Sequence, residues 1–319
     1  MSKVQHARPI LGLGREALAG VHGLRRQRLP RRAGRSLRQL SGGAAGLDGA
    51  RVDRRSPPFY TCTVTRTGSA PLVLGHRGFR AQFPENTLLA FREALAAGAD
   101  GIECDLQKSA DGRYVVIHDP ATDRVAGVPL EVGRAAAAQL RGLDAGRGER
   151  IPFLEEVLDA LPAEAWLDLE LKEETLTAAD ADRIALILDA RRSRERLMIS
   201  SFAPALLIPF RRRGFTIGFL AGEQAAGAGF LRLAAALARL RPHYLNLPVE
   251  SLRVLGARRA LGLFRLIRAL GFSLLFWTVN DPGVAAVLLP HARFLVTDEV
   301  TRILRAIRPG DSPKQFTET

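Results

Sequence analysis

The sequence predicts an α/β chain folded as a (β/α)8 barrel of the TIM type, preceded by a basic, disordered arm. Three observations carry that expectation. From Pro71 onward, short β-like runs alternate with helix-like runs, the pattern of repeated β–α units. Eight such runs fall within residues 71–319, a span of about 250 residues, which is what a barrel of this kind needs. Polar and charged residues collect at the C-terminal ends of the runs, where a barrel carries its functional groups. A doubly wound open sheet is the rival, but it usually has fewer strands and an early Gly-rich phosphate turn, which this stretch lacks.

In chain order the first run is LVLGH (72–76). NTLLAFREALAAG (86–98) follows with apolar residues at near-helical spacing and Gly98 as its natural stop. GIECDLQ (101–107) is the second run, and SADGRY (109–114) then reads as a tight turn leading into YVVIHD (114–119). That extra run does not fit the eight-strand count and is expected to be a hairpin excursion after strand two. The remaining six runs are AWLDLELK (165–172), RLMISSF (196–202), TIGFLAG (216–222), YLNLPV (244–249), SLLFWTV (273–279) and RFLVTD (293–298). Between His118 and Ile151 the chain is too short for a large insertion subdomain, so a relatively open pocket is expected.

The net charge of +13 is unevenly placed. Residues 1–70 hold fourteen Lys/Arg against Glu16, Asp48 and Asp53, whereas 71–319 hold 32 basic and 30 acidic residues. Residues 1–69 are therefore expected to be an Arg-rich, disordered arm, 70–309 the barrel, and 310–319 a C-terminal tail. Four readings of the arm stand side by side: a solvated tail, a weak anchor for anionic membrane or nucleic acid, an organelle transit peptide, or sequence upstream of the natural start. No specific nucleic-acid partner is expected, and the oligomeric state is left open. The two cysteines, Cys62 and Cys104, form neither a disulfide framework nor a zinc pattern. No apolar stretch approaches the ~18–20 residues of a spanning helix, and Arg15 and Glu16 interrupt the one apolar stretch that could resemble a secretory signal. A cytoplasmic location, or one peripheral to a membrane, follows as the expectation.

Side chains two apart on a strand share a face. In GIECDLQ that sets Glu103 beside Asp105, and in LDLELK it sets Asp168, Glu170 and Lys172 together. A half-exposed strand would explain such a wet face in an antiparallel sheet, but both faces of a closed parallel barrel are covered. Carboxylates converging at one mouth repel one another unless something positive lies between them. A divalent cation is one answer, and all-oxygen ligation suits Mg²⁺ or Ca²⁺. Salt bridges from Lys172 and Arg77 alone are the other.

HRG at 76–78, PENT at 84–87, ExD at 103–105 and HD at 118–119 occur in that order, followed by RIPFLEEVLDAL (150–161), LELK (169–172), ISSF (199–202), WTVN (277–280) and TD (297–298). In order and spacing this set resembles the glycerophosphodiester phosphodiesterase family, over the whole body and none of the arm. The resemblance implies that His76 and His118 are the paired acid and base and that Glu103, Asp105 and Glu170 hold the metal. It further implies Arg77 and Lys172 as phosphate-binding cations, Glu85 and Asn86 at the mouth, and Trp277 as a wall against the alcohol moiety. HARF (291–294), where the family often has Gly-Val-Asp-Gly, and Glu299-Val300 after TD depart from the pattern.

The chemistry asks for these residue types independently. A phosphodiester is anionic, so cations must absorb the charge that builds in the transition state. One imidazole must take a proton from the attacking hydroxyl and another must give one to the leaving alkoxide. The expected activity is hydrolysis of small glycerophosphodiesters to glycerol 3-phosphate and an alcohol, with a divalent cation (Mg²⁺ or Ca²⁺) as cofactor. Two alternatives are kept: a lysophospholipase D-like or phospholipase-like activity at a membrane, and a non-catalytic barrel that binds phosphodiesters or lipids.

Overall fold

The computed structural model describes residues 71–222, 235 and 237–310. The expected arm (1–69), with Cys62, and the tail beyond residue 310 lie outside the described residues.

The chain runs β1 (Leu72–His76), α1 (Leu88–Ala96), β2 (Gly101–Lys108), β3 (Tyr114–Val116), α2 (Asp123–Ala126), α3 (Ala137–Gly142), α4 (Leu154–Ala160), β4 (Trp166–Leu171), α5 (Ala181–Arg191), β5 (Leu197–Ser201), α6 (Pro204–Arg212) and β6 (Thr216–Leu220). After the undescribed stretch it continues with β7 (Tyr244–Pro248), α7 (Ser251–Leu255), α8 (Ala257–Ala269), β8 (Ser273–Trp277), α9 (Pro282–Leu288), β9 (Ala292–Thr297) and α10 (Val300–Ile307). All eight expected runs are strands. They pair in parallel in the ring order β1-β9-β8-β7-β6-β5-β4-β2, and β1 pairs with β2 to close it. β3 stands outside the ring, antiparallel to β2, as the hairpin reading expects.

The alternation along each strand sorts its side chains into two layers. Ile102, Cys104 and Leu106 of β2 and Leu167, Leu169 and Leu171 of β4 face outward and are buried against the helices, where Phe91, Leu188, Leu207, Phe264 and Ile303 complete the main core. The inward set differs along the barrel axis. At one end Trp166 and Tyr244 meet Phe294 edge to face at 4.9 and 5.3 Å, and Leu74, Met198, Leu275 and Val296 fill the space beside them. This apolar plug closes the barrel below, so the polar inward residues near the strands' C-terminal ends look into a single mouth.

Local chemistry sets the loop that follows β1. Gly78 has φ +83°, and a Cβ there would lie 2.6 Å from the backbone of Ala90 in α1, so the third residue of HRG has to be glycine. α1 itself starts at Thr87, whose hydroxyl accepts from the Ala90 N–H at 3.2 Å, and stops before Gly98 at φ +95°. The 115–153 segment has a small apolar core of its own, built on Val115, Ile117, Val132, Leu140 and Ile151, and is no larger than the sequence suggests.

Candidate active site

Strand register builds the site. His76 of β1 lies level with Glu103 of β2, and Glu103 with Asp168 of β4; one step further along, Asp105 lies level with Glu170. Four carboxylates from two adjoining strands therefore meet inside the barrel, all of them buried. Glu103, Asp105 and Glu170 each present an oxygen within 4.8 Å of the others.

Their counter-charges are unequally shared. Lys172 Nζ lies 2.9 Å from Asp105 and 2.5 Å from Glu170. Arg77 Nε lies 3.2 Å from the other Asp105 oxygen, and Asn86 donates to that oxygen at 2.8 Å. Burial by itself would raise the Asp105 carboxyl, but Lys172 and Arg77 hold it well below the usual range. Glu103 receives a backbone N–H from Arg77 at 2.9 Å on one oxygen, while the other, Oε1, is buried without a hydrogen-bond partner. Burial, reinforced by Asp105 and Glu170, pushes Glu103 well above the carboxylate range. Burial also raises Glu170 to about 7 despite Lys172, and raises Asp168 to about 7 despite the 2.6 Å hydrogen bond from Ser200.

The salt-bridge explanation thus accounts for Asp105 and in part for Glu170, and leaves Glu103 uncompensated. Two cations, one of them shared with Glu85, serve four buried acids. A divalent cation fits that deficit, the all-oxygen donor set and the orphaned Glu103 Oε1.

Two imidazoles flank this floor. His76 Nδ1 sits 2.7 Å from Asp298 Oδ1, leaving Nε2 on the side of Glu103, 3.9 Å from its Oε2. His118 Nδ1 sits 2.6 Å from Asp119 Oδ1, and burial depresses the His118 pKa below the ordinary value. The loop carrying His118 is tied down by Gln107, whose amide nitrogen lies 2.7–3.2 Å from the carbonyls of Ile117, His118 and Asp119.

His76, Arg77, Glu103, His118, Glu170, Lys172 and Trp277 all line one cavity of about 380 Å³, together with Arg80, Asp168, Ser200, Phe202 and Asn246. That volume is within the range of small-ligand sites. Asp105 lies against this cavity through its bonds to Arg77 and Lys172. Glu85 and Asn86 stand behind the lining. Glu85 bridges Arg77 and Arg80, both at 2.9 Å, and Arg124 at 2.6 Å, while Asn86, at φ +56°, braces Asp105. Burial would raise the Glu85 carboxyl, but hydrogen bonds from Arg124 and Arg77 lower it to about 2.

Arg80, Arg124 and Gln107 were not among the expected site residues. Asp298, Asp119 and Ser200 were visible as polar strand or loop ends, but nothing in the sequence says which base each acid meets. The HARF departure is far from the chemistry. β9 begins within it, and His291 packs against Phe264 of α8 with ring centroids 6.0 Å apart.

A closed parallel barrel whose mouth gathers buried acids, two cations and two carboxylate-tethered imidazoles defines a hydrolase of anionic esters. Comparison with known proteins narrows the class. The profile of the Glycerophosphoryl diester phosphodiesterase family matches residues 76–307, and the chain belongs to that family. It is 29% identical over 251 residues to a glycerophosphodiester phosphodiesterase of Caldanaerobacter subterraneus subsp. tengcongensis, across 75% of this chain and 98% of that protein. The crystal structure of the glycerophosphodiester phosphodiesterase from Thermotoga maritima superposes with a TM-score of 0.64 at 30% identity, covering 74% of this chain and 97% of that one. An Oleispira antarctica phosphodiesterase, solved with the product sn-glycerol-3-phosphate, matches with a TM-score of 0.63 at 25% identity, over 75% and 97% of the two chains.

Proposed function

We propose that this phosphodiesterase hydrolyses glycerophosphodiesters to glycerol 3-phosphate and an alcohol. The observation that supports this most is the meeting of His76 and His118 at one cavity whose floor carries Glu103 and Glu170. Glu103, Asp105 and Glu170 would hold a divalent cation, Mg²⁺ or Ca²⁺, which when bound supplies Lewis-acid stabilisation of the charge on the phosphoryl oxygens. Arg77 and Lys172, with Arg80 beside them, hold the diester phosphate in the mouth. With each Nδ1 committed to Asp298 or Asp119, the two Nε2 atoms are left to move protons. One takes a proton from the hydroxyl that attacks phosphorus, and the other gives one to the departing alkoxide. In the family's usual scheme that hydroxyl is the glycerol 2-OH, and water then opens the cyclic phosphate. The Nδ1 partners fix ring orientation and favour the protonated imidazole when it forms.

One observation favours a second reading, action on lysophospholipids. Phe202 and Trp277 form an edge-to-face pair at 5.7 Å in the cavity wall, with Phe202 partly exposed, so an apolar chain would find a partner there. A panel of glycerophosphodiesters and lysophospholipids, assayed with and without chelator, tests both readings. Chelator-sensitive release of glycerol 3-phosphate from the soluble diesters supports the first. Turnover confined to lysolipids selects the second, and binding without turnover of any member returns the chain to the non-catalytic alternative.

A further inference from the structure

The stretch Ser251–Leu270 stands apart from the rest of the described surface. It contains Arg253, Arg258, Arg259, Arg265 and Arg268 and not one acidic residue. Of the nine large apolar side chains exposed among the described residues, five lie here: Val254, Leu255, Leu263, Leu266 and Leu270, with Val254 at 73%, Leu266 at 56% and Leu270 at 67%. α8 turns Ala260 and Phe264 into the core, with Leu261 and Ile267 half-buried beside them. At 100° per residue, Leu263, Leu266 and Leu270 then form one outward stripe with Arg259 within it, and Arg258 and Arg265 lie further round the exposed side, about 80–100° from Leu266. Arg268 is turned away from the stripe and donates to the carbonyl of Pro290.

No carboxylate among the described residues lies within ion-pair distance of these arginines. Burial depresses the neighbouring His291, and Arg265 and Arg268 add to that shift. A solvated leucine stripe that contains Arg259, with Arg258 and Arg265 on the adjoining exposed side and no described carboxylate to neutralise them, has the chemistry of an interfacial membrane helix. Arginines alone would suit a nucleic acid, but three exposed leucines on the same face gain nothing from a phosphate backbone. They do gain from the acyl boundary of a bilayer, while the arginines meet anionic headgroups.

The start of this stretch lies near the mouth. α7 follows β7 directly, and the Val249 N–H donates to the carbonyl of Trp277, a cavity-lining residue, at 2.8 Å. We infer that α7 and α8 form a docking surface for an anionic lipid bilayer, separate from the catalytic cavity and independent of the reading of its chemistry.

The test uses the full chain and vesicles of phosphatidylcholine with or without about one third phosphatidylglycerol. Two variants remove the surface: Leu263→Gln/Leu266→Gln/Leu270→Gln and Arg258→Gln/Arg259→Gln/Arg265→Gln. A third, Leu266→Trp, reports insertion through quenching by brominated lipid. Expected are binding that needs phosphatidylglycerol, a loss of about tenfold or more in partitioning for each triple variant, and bromolipid quenching of Leu266→Trp beyond that of the wild type. Unchanged partitioning of both triple variants, or absence of added quenching, overturns the proposal. Concentration-dependent self-association of the wild type without vesicles, lost in the leucine variant, also overturns it by assigning the stripe to a second copy. Circular dichroism and melting temperatures matching the wild type show that the triple variants fold.

Discussion

The Nδ1 atom of His76 and the Oδ1 atom of Asp298 lie 2.7 Å apart although 222 positions separate them in the chain. β1 and β9 are neighbours in the ring, with Gly75 level with Thr297, so the residues just beyond each are brought face to face. Asn280 fixes the acid in turn. It donates to Asp298 Oδ2 at 2.8 Å and accepts the Asp298 backbone N–H at 2.9 Å. Asp298→Asn should lower kcat about 10–100-fold, as loss of an orienting carboxylate does elsewhere, with little change in KM. Steady-state kinetics alongside a thermal melt checks this; an unchanged kcat would remove Asp298 from the catalytic machinery.

Glu85 ties three arginines together and carries a lowered pKa, about 2 against an ordinary 4.5. A carboxyl whose folded pKa is depressed contributes stability above its unfolded value, and that contribution disappears as pH falls through the folded one. Glu85→Gln should therefore melt below the wild type at neutral pH, and the gap should narrow between about pH 4.5 and pH 2. Scanning calorimetry across that window reads it. A gap that stays constant with pH would mean the arginines do not hold Glu85 ionised.

Glu103 gives the opposite sign. Its raised pKa makes it a stability liability while no cation is present. In chelator, Glu103→Gln should melt at or above the wild type. Added Mg²⁺ or Ca²⁺ should raise the wild-type melting temperature in proportion to ln(1 + [L]/Kd) and leave the variant unmoved. Equal response of both proteins would take Glu103 out of the cation site.

Much of this was legible before any coordinates. A parallel strand covered on both faces has few places for charge, so GIECDLQ and LDLELK announced an inward polar row, and all eight runs emerged as strands. The hairpin at 114–116 and the stop of α1 at Gly98 followed from turn and cap chemistry. The braces were not legible. Arg124 meets Glu85 across 39 positions, and Ser200 meets Asp168 across 32. Pairings of that kind depend on register and loop path, which no local pattern encodes. Glu85 and Asn86 were expected at the mouth, but the φ +56° turn at Asn86 aims its amide at Asp105, behind the cavity lining.

Removing residues 1–65 should leave hydrolysis of soluble diesters within about twofold of the full chain, since every cavity-lining residue lies at or beyond His76. A kinetic comparison of the two proteins checks this, and a large loss of kcat would give the arm a catalytic part.

The most direct measurement is the release of glycerol 3-phosphate from a soluble glycerophosphodiester by the wild type, His76→Ala and His118→Ala, each with chelator and after Mg²⁺ or Ca²⁺ is restored. Paired imidazoles acting over a carboxylate-held cation predict wild-type release that stops in chelator and returns with the ion, with a deficit of about 10²–10⁴-fold in either variant. Release indifferent to chelator, or undiminished in both variants, would contradict it.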